Sequence, residues 1–471
     1  MMQSKKIDRA AWQAIPSYYS PTWHRPSSPT KWAEGYPLLS LPVRVAGLAD
    51  FTQSLFITSL VLFLLTSSAL FAQKKIEFSD RTYEPQIKTV RVYPDLGGSR
   101  DYVKPAAAPI EQQNLILDFD DLQDNRNNYY VKLIHCNYDW TKSSLMDLDF
   151  LENYNENPIT DYTFSINSHT RYIHYRFQLP PVKIPGNYLL IAYRDDPSDL
   201  ILSKRIMIYA NQIGLAKDTQ FIGTGTLQKG KQQFNFNIDY SNIEVLNPLE
   251  TVHVTIRQNQ RWDNAKTDLS PNFIRDANSQ MEYRFFEADK QFDGGNEFRF
   301  VDFRSLNAPG QNTGKLNRAV KPHELYVATD GNRSNDVYSQ YLDLDGNYLI
   351  ENLDVGEANL TGDYLFVNFL LKSPKLPNEE IYVVGAFNNY QRTSENKMVY
   401  NDAGFYESRQ FLKQGLYNYK YAVESNKGLT NSIEGSHFET ENVYEVLIYN
   451  RPFRPNADLL LGYYLIPINP R

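Results

Sequence analysis

Hydrophobic and polar positions alternate with a period of two along much of the chain. In 171–179, Ile173, Tyr175, Phe177 and Leu179 take one parity, and Tyr172, His174, Arg176 and Gln178 take the other. That pattern predicts a strand with one packed face and one polar face. Residues 129–140 differ: Val131 and Leu133 fall on one parity, Ile134 and Cys136 on the other. An apolar run on both parities predicts a central strand covered on both sides. Between the two runs, Asn157-Pro158 breaks the ladder and marks a crossing.

The same reading extends along the chain. Leu115, Leu117 and Phe119 alternate with Ile116, Asp118 and Asp120; runs at 187–193 and 200–209 flank the turn Asp195-Asp196-Pro197-Ser198. Phe234, Phe236, Ile238 and Tyr240 share one parity, as do Val252, Val254 and Ile256. Residues 341–344 and 347–350 around Asp345-Gly346 predict a hairpin, because Asp-Gly supplies the positive φ angles of a tight turn. Segments 211–230 and 351–363, polar and glycine-containing, are the predicted boundaries.

Composition agrees with an all-β class. Aromatic residues make up 14% of 471, with 34 Tyr and 26 Phe, and such side chains suit pleated, half-buried surfaces. A net charge of −7 without a basic cluster interleaved with aromatics argues against a nucleic-acid groove. The sole cysteine, Cys136, cannot form an intrachain disulfide.

Residues 54–72 carry no charge. An apolar core at 55–65 followed by Thr66-Ser67-Ser68-Ala69-Leu70-Phe71-Ala72 fits a signal peptide cleaved after Ala72. A membrane anchor is the competing reading, since about 18 residues can just span a bilayer; the short apolar core and small-residue pattern favour cleavage. The predicted organisation is therefore three consecutive immunoglobulin-like or early-set β-sandwiches after a cleaved leader. Residues 1–50 are expected to be an unstructured extension, with either the true start lying further in or the extension left out of the working protein, and 51–72 the signal peptide, followed by sandwiches at 73–210, 211–360 and 361–471.

Catalytic and metal chemistry has little support. Asp118, Asp120, Asp121 and Asp124 suggest calcium, but the glycine and the terminal glutamate of a calcium loop are missing; a solvated strand end is expected instead. His169 and His174 would point to opposite faces of one strand. His135 and Cys136 diverge for the same reason, so a Cys-His nucleophile pair is not expected. No nucleophile elbow, paired-cysteine spacing or phosphate-binding glycine loop occurs, and no cofactor, metal or small-molecule substrate is expected. Tyr138, Trp140 and Tyr154 lie where a strand gives way to a loop. They are either exposed anchors for a partner or, for Trp140, a side chain packed between sheets.

Two resemblances add to this. His135-Cys136-Asn137-Tyr138-Asp139-Trp140, Asp161-Tyr162 with Phe164 and Ser165, His174-Tyr175-Arg176 and Pro185-Gly186-Asn187-Tyr188-Leu189-Leu190 together resemble the plug protein of the type IX secretion system of Bacteroidetes-type bacteria. The resemblance implies a non-catalytic periplasmic protein that seals the inner opening of the outer-membrane translocon barrel and touches the membrane only through it. It makes Tyr138, Asp139, Trp140, Asp161, Tyr162 and His174 candidate partner-binding or signature residues, beside Tyr154 from its loop position. Val383-Val384-Gly385-Ala386-Phe387-Asn388-Asn389-Tyr390 and Gly415-Leu416-Tyr417-Asn418-Tyr419-Lys420-Tyr421 are similar to early-set modules of glycogen- and starch-acting proteins. Tyr390 stands where those modules usually carry Trp, which leaves a periplasmic or surface glycan-binding accessory protein as the alternative.

Overall fold

Strand Tyr129–Cys136 lies inside a six-stranded sheet, flanked by Gly186–Arg194 and the short Asn157–Pro158. Leu200–Tyr209 and Arg81–Thr82 follow beyond Gly186–Arg194, and Ala107–Pro109 runs parallel to Leu200–Tyr209. In this computed structural model the described residues are 74–218, 230–233, 235–285, 290–308 and 310–470; the expected extension and signal peptide lie outside them. Ile87–Pro94, Leu115–Asp121, Ile173–Gln178 and Asp161–Phe164 form a second sheet in that order. Leu117, Phe119, Val131, Leu133, Tyr175 and Leu190 fill the space between the two. This first sandwich is built entirely within 81–209.

The other side of Tyr129–Cys136 is covered too, as a doubly apolar strand requires. Ile134, Cys136, Leu189 and Ile191 pack against Leu447, Tyr449 and Leu460, which belong to the chain's last two strands, Asn442–Asn450 and Leu459–Ile468. Those two strands join Val252–Gln258 in a three-stranded sheet. It shares a core with the four-stranded sheet Gly214–Asp218, Asn235–Asp239, Gln280–Tyr283 and Phe273–Arg275. The third sandwich pairs a five-stranded sheet centred on Leu416–Ser425 with a six-stranded sheet centred on Tyr364–Lys372 and Phe405–Lys413. Its first sheet includes Arg299–Asp302.

Sheet pairing therefore crosses the division expected at 360/361. Val252 pairs with Asn450, and Arg299 pairs with Tyr419. Alternation reports that a segment is a strand and which face is apolar; it carries no information on the partner strand.

The expected hairpin at 341–350 forms only its turn. Asp345 and Gly346 have φ of 52° and 83°, and Asn347 N–H donates to the Leu344 carbonyl at 2.9 Å. Tyr348–Leu349 then pairs with Leu416–Ser425 instead of with 341–344, and the Leu344 N–H donates to the Asn418 side-chain oxygen at 2.5 Å. Among the described residues no helix is long and apolar enough to cross a membrane.

Candidate functional site

Cys136 ends its strand, and the chain turns through 137–141. Trp140 N–H donates to the Asn137 carbonyl at 3.0 Å, Asn137 N–H to the Thr141 carbonyl at 2.8 Å, and Thr141 N–H to Asp139 Oδ1 at 2.9 Å. Trp140 itself takes φ of 66°, a conformation that costs a bulky residue energy and persists only under tertiary constraint. The constraint is visible: the indole is 6% exposed and meets Trp262 edge to face, with centroids 5.1 Å apart. Arg205 lies 4.8 Å from the Trp262 ring and Arg257 lies 4.4 Å from it. Tyr138, half-buried, stacks on His253 at 3.9 Å, and its N–H donates to Asp458 Oδ2 at 3.0 Å. The Asn137-Tyr138-Asp139-Trp140 turn is thus a wedge from the first sandwich into the middle one, and the inward alternative for Trp140 is the observed one. Asp139 stays exposed and serves the turn.

Beside this wedge opens a cavity of about 1150 Å³ walled by residues of all three sandwiches. Eleven lysines and arginines line it against four acids, although the whole chain is acidic. Several of the cations are held in place by carboxylates. Arg205 donates to Asp80 Oδ2 at 3.1 Å, Arg257 to Glu445 Oε1 at 2.7 Å, and Arg261 to Asp263 Oδ2 at 2.7 Å. Burial raises the Asp80 carboxyl, but Lys204 and Arg205 outweigh it and draw it below its ordinary value. Tyr390 is buried at one wall, its φ 56°, with Arg261 4.7 Å from its ring; burial pushes its phenol far upward. It offers no flat face to a sugar.

The outer face of the second sheet carries the other junction. Asp120 accepts from Lys413 Nζ and from Tyr364 Oη, each at 2.7 Å to Oδ2, and its Oδ1 lies 2.7 Å from His174 Nδ1. Asp120 and Lys413 are both about 1% exposed in their side chains. Burial alone would raise the Asp120 carboxyl; Lys413 and His174 hold it down at about 2. At Lys413 burial outweighs the same attraction and lowers the ammonium's affinity for its proton. Tyr172 closes the contact by donating to the Gly362 carbonyl at 3.0 Å. The polar parity of 171–179 therefore faces the third sandwich over Tyr172 and His174, and the expected solvated strand end at 118–121 is buried. Asp118 is spanned by Arg91, Arg176 and the Tyr93 hydroxyl. Asp121 accepts from Tyr129 Oη at 2.7 Å. Asp118 Oδ2 and Asp121 are thus taken up by protein donors, while Asp118 Oδ1 has only the Arg176 guanidinium 3.6 Å away.

The other predicted residues separate from these junctions. Asp161 is exposed beside Arg176 on the edge strand Asp161–Phe164. Tyr162 is half-buried against Tyr175, with Arg126 4.5 Å from its ring. Tyr154 is 79% exposed. Near it on the same segment stand exposed Met146 and Leu148. Ser144 Oγ donates to the Asn456 carbonyl at 3.3 Å, which brings the loop with exposed Phe453 alongside. Cys136 is fully buried, and burial pushes its thiol up to about 12. Burial draws neighbouring His135 down to about 4. Neither group is poised as a nucleophile or its base at neutral pH.

Sequence reasoning missed Lys413, Trp262, Arg205 and the pair His323 and Asp363. His169 Nδ1 lies 2.5 Å from Asp363 Oδ2, and the rings of His169 and His323 are 4.6 Å apart. The three residues come from segments far apart in the chain, and no spacing rule joins them. The one local signal for the Asp120 junction was the acid-rich strand Leu-Ile-Leu-Asp-Phe-Asp-Asp at 115–121, whose seven residues are all buried.

Residues 87–210 match the family model of the type 9 secretion system plug protein 1st domain. No curated protein matches the chain. A crystal structure of a hypothetical protein from Parabacteroides merdae ATCC 43184 is similar over 84% of this chain and 100% of its own, with 27% identity and a TM-score of 0.77. The C-terminal domain of the Streptococcus pyogenes antigen I/II-family protein AspA aligns over 80% of this chain and 98% of its own, with 8% identity and a TM-score of 0.14; that score carries no structural likeness. Residues 87–210 thus resemble the first domain of type 9 secretion plug proteins, and the fold is similar to that of the Parabacteroides merdae protein. The match supports a role in type 9 secretion, a component of that system as partner and a place in the cell envelope.

Proposed function

We propose that the protein is a non-catalytic plug that binds the periplasmic opening of the type IX outer-membrane translocon barrel and seals it while no cargo is present. The match of residues 87–210 to the plug-protein domain carries this reading. The architecture supports it in two ways. Three sandwiches tied by buried ionic and aromatic junctions make a stiff body, as a steric seal requires. The first sandwich carries exposed Met146, Leu148 and Tyr154 on one segment, which the Ser144–Asn456 hydrogen bond ties to the loop carrying exposed Phe453, and exposed apolar side chains are candidate protein contacts. We assign the barrel contact to this face. A seal that must yield to cargo calls for a moderate, partly polar interface rather than an obligate hydrophobic one.

A glycan-binding role has less support. Tyr390, Tyr406, Tyr417, Tyr419 and Tyr421 are all buried, so the third sandwich lacks an aromatic platform from that set. Calorimetric titration with maltooligosaccharides is expected to give no binding heat. Affinity purification of the full chain from outer-membrane extracts tests the plug reading directly. Co-purification of the barrel supports it; tight sugar binding without any barrel association overturns it.

A further inference from the structure

We propose that His169, His323 and Asp363 form a binding site for a zinc-type divalent cation that clasps the first sandwich to the third. One donor atom from each lies within 4.8 Å of the others. Two imidazoles and one carboxylate are the donor set of a borderline cation such as Zn²⁺, which takes three protein ligands and a water. The same set disfavours Ca²⁺ and Mg²⁺, which prefer all-oxygen surroundings.

The supporting structure is what such a site needs. His323 and Asp363 immediately precede the strands Glu324–Val327 and Tyr364–Lys372, which run side by side in parallel, with Glu324 opposite Phe366. The Phe366 N–H donates to the His323 carbonyl at 2.9 Å. Two of the three ligands are therefore fixed at one end of adjacent strands, and both are buried. His323 Nδ1 lies 3.1 Å from the Val320 carbonyl. Such a bond fixes the tautomer and leaves Nε2 as the ligating nitrogen. Asp363 Oδ1 accepts from the N–H groups of His169, Thr170 and Tyr364 at 3.0, 3.2 and 3.1 Å. That arrangement holds the carboxylate in place and leaves Oδ2 to meet the cation.

His169 is the adjustable member. It sits exposed on the loop between Asp161–Phe164 and Ile173–Gln178. Tetrahedral coordination at about 2.1 Å requires donors about 3.4 Å apart, so a pair at the 4.8 Å limit must close by about 1.4 Å and the 2.5 Å His169–Asp363 pair must open by about 0.9 Å. The hydrogen bond between His169 Nδ1 and Asp363 Oδ2 occupies the cation's place, and binding would exchange that proton for the metal. The His169–Asp363 pairing does not involve His323, whose ring stands 4.6 Å from that of His169.

The test uses the full chain after treatment with a chelator. Zinc chloride is titrated by calorimetry and cobalt chloride by visible absorption. The expected result is one saturable site, a cobalt band of tetrahedral intensity, and a melting temperature raised by zinc but not by calcium chloride. His169→Ala, on an exposed loop, and His323→Gln should each weaken zinc binding at least tenfold while the far-UV circular dichroism is unchanged. Absence of saturable one-to-one binding, or binding that His169→Ala leaves unaltered, overturns the proposal.

Discussion

Replacing Asp120 with Asn should destabilise the protein more than any surface ion-pair change. The substitution leaves the Lys413 ammonium, about 1% exposed, without its counter-ion 2.7 Å away. It also removes an acceptor from among three donors at that carboxylate. Breaking a buried pair by removing one partner costs about 3–5 kcal/mol, because the remaining charge is desolvated and uncompensated. Lys413→Met should cost about as much by stranding the carboxylate. The double substitution strands neither charge; its cost falls to the lost hydrogen bonds, about 1 kcal/mol each. The two changes should therefore be strongly non-additive, with a coupling of at least about 2 kcal/mol. Urea unfolding of the full chain measures the three costs from midpoints and slopes. Hydrogen exchange at Leu115–Asp121 and Phe405–Lys413 locates them, since those strands carry the two residues. Single substitutions costing under about 1 kcal/mol and adding simply would refute the claim that this pair fastens the first sandwich to the third.

Acid should loosen the Asp120 junction and the interior of the third sandwich in a defined window. Against the upward pull of burial, Lys413 and His174 hold Asp120 at about 2 rather than 3.8, and Arg299 and Arg333 hold Glu434 at about 2 rather than 4.5. A carboxyl depressed on folding contributes stability that is full above its unfolded value and lost as pH falls through its folded one. Each contributes about 2–3 kcal/mol. Urea midpoints are thus expected to fall between pH 4.5 and 2, and midpoints flat across that range would contradict the assignment. Cys136, buried with its thiol pushed up to about 12, should resist iodoacetamide at pH 8 in the folded chain and react on unfolding; rapid labelling of the folded chain would place it in a reactive site instead. Substituting Tyr154, Met146, Leu148 and Phe453 together with Ser should leave the melting temperature within a few degrees. It should reduce barrel co-purification by at least tenfold, and unaltered recovery would move the contact elsewhere.

Local pattern carried much of this fold. Period two in 115–121 and 173–178 and the doubly apolar run at 129–136 each correspond to strands with those cores. The same pattern misled where a polar parity meant a partner rather than water. His174, Asp118 and Asp120 read as a solvent face, yet side chains from distant segments meet them there. Alternation measures apolarity along one strand, and a buried polar residue looks like an exposed one until its counter-ion is found. Trp140 was undecided for a related reason: the ring that covers it, Trp262, belongs to another sandwich. Tyr390 stood on a surface motif by analogy and lies inside. His323 and Asp363 join His169 only through the parallel pairing of two strands, a crossover that no spacing in the sequence encodes.

Conductance shows whether this chain closes a pore. Purified translocon barrel is inserted into a planar bilayer with one orientation, and the full chain is added to the periplasmic side. Large open-channel currents should fall to near the baseline and return when the protein is washed out, and the quadruple Met146, Leu148, Tyr154 and Phe453 substitution should fail to close the channel. Unchanged conductance at concentrations where the protein is bound to the barrel would contradict closure of the pore.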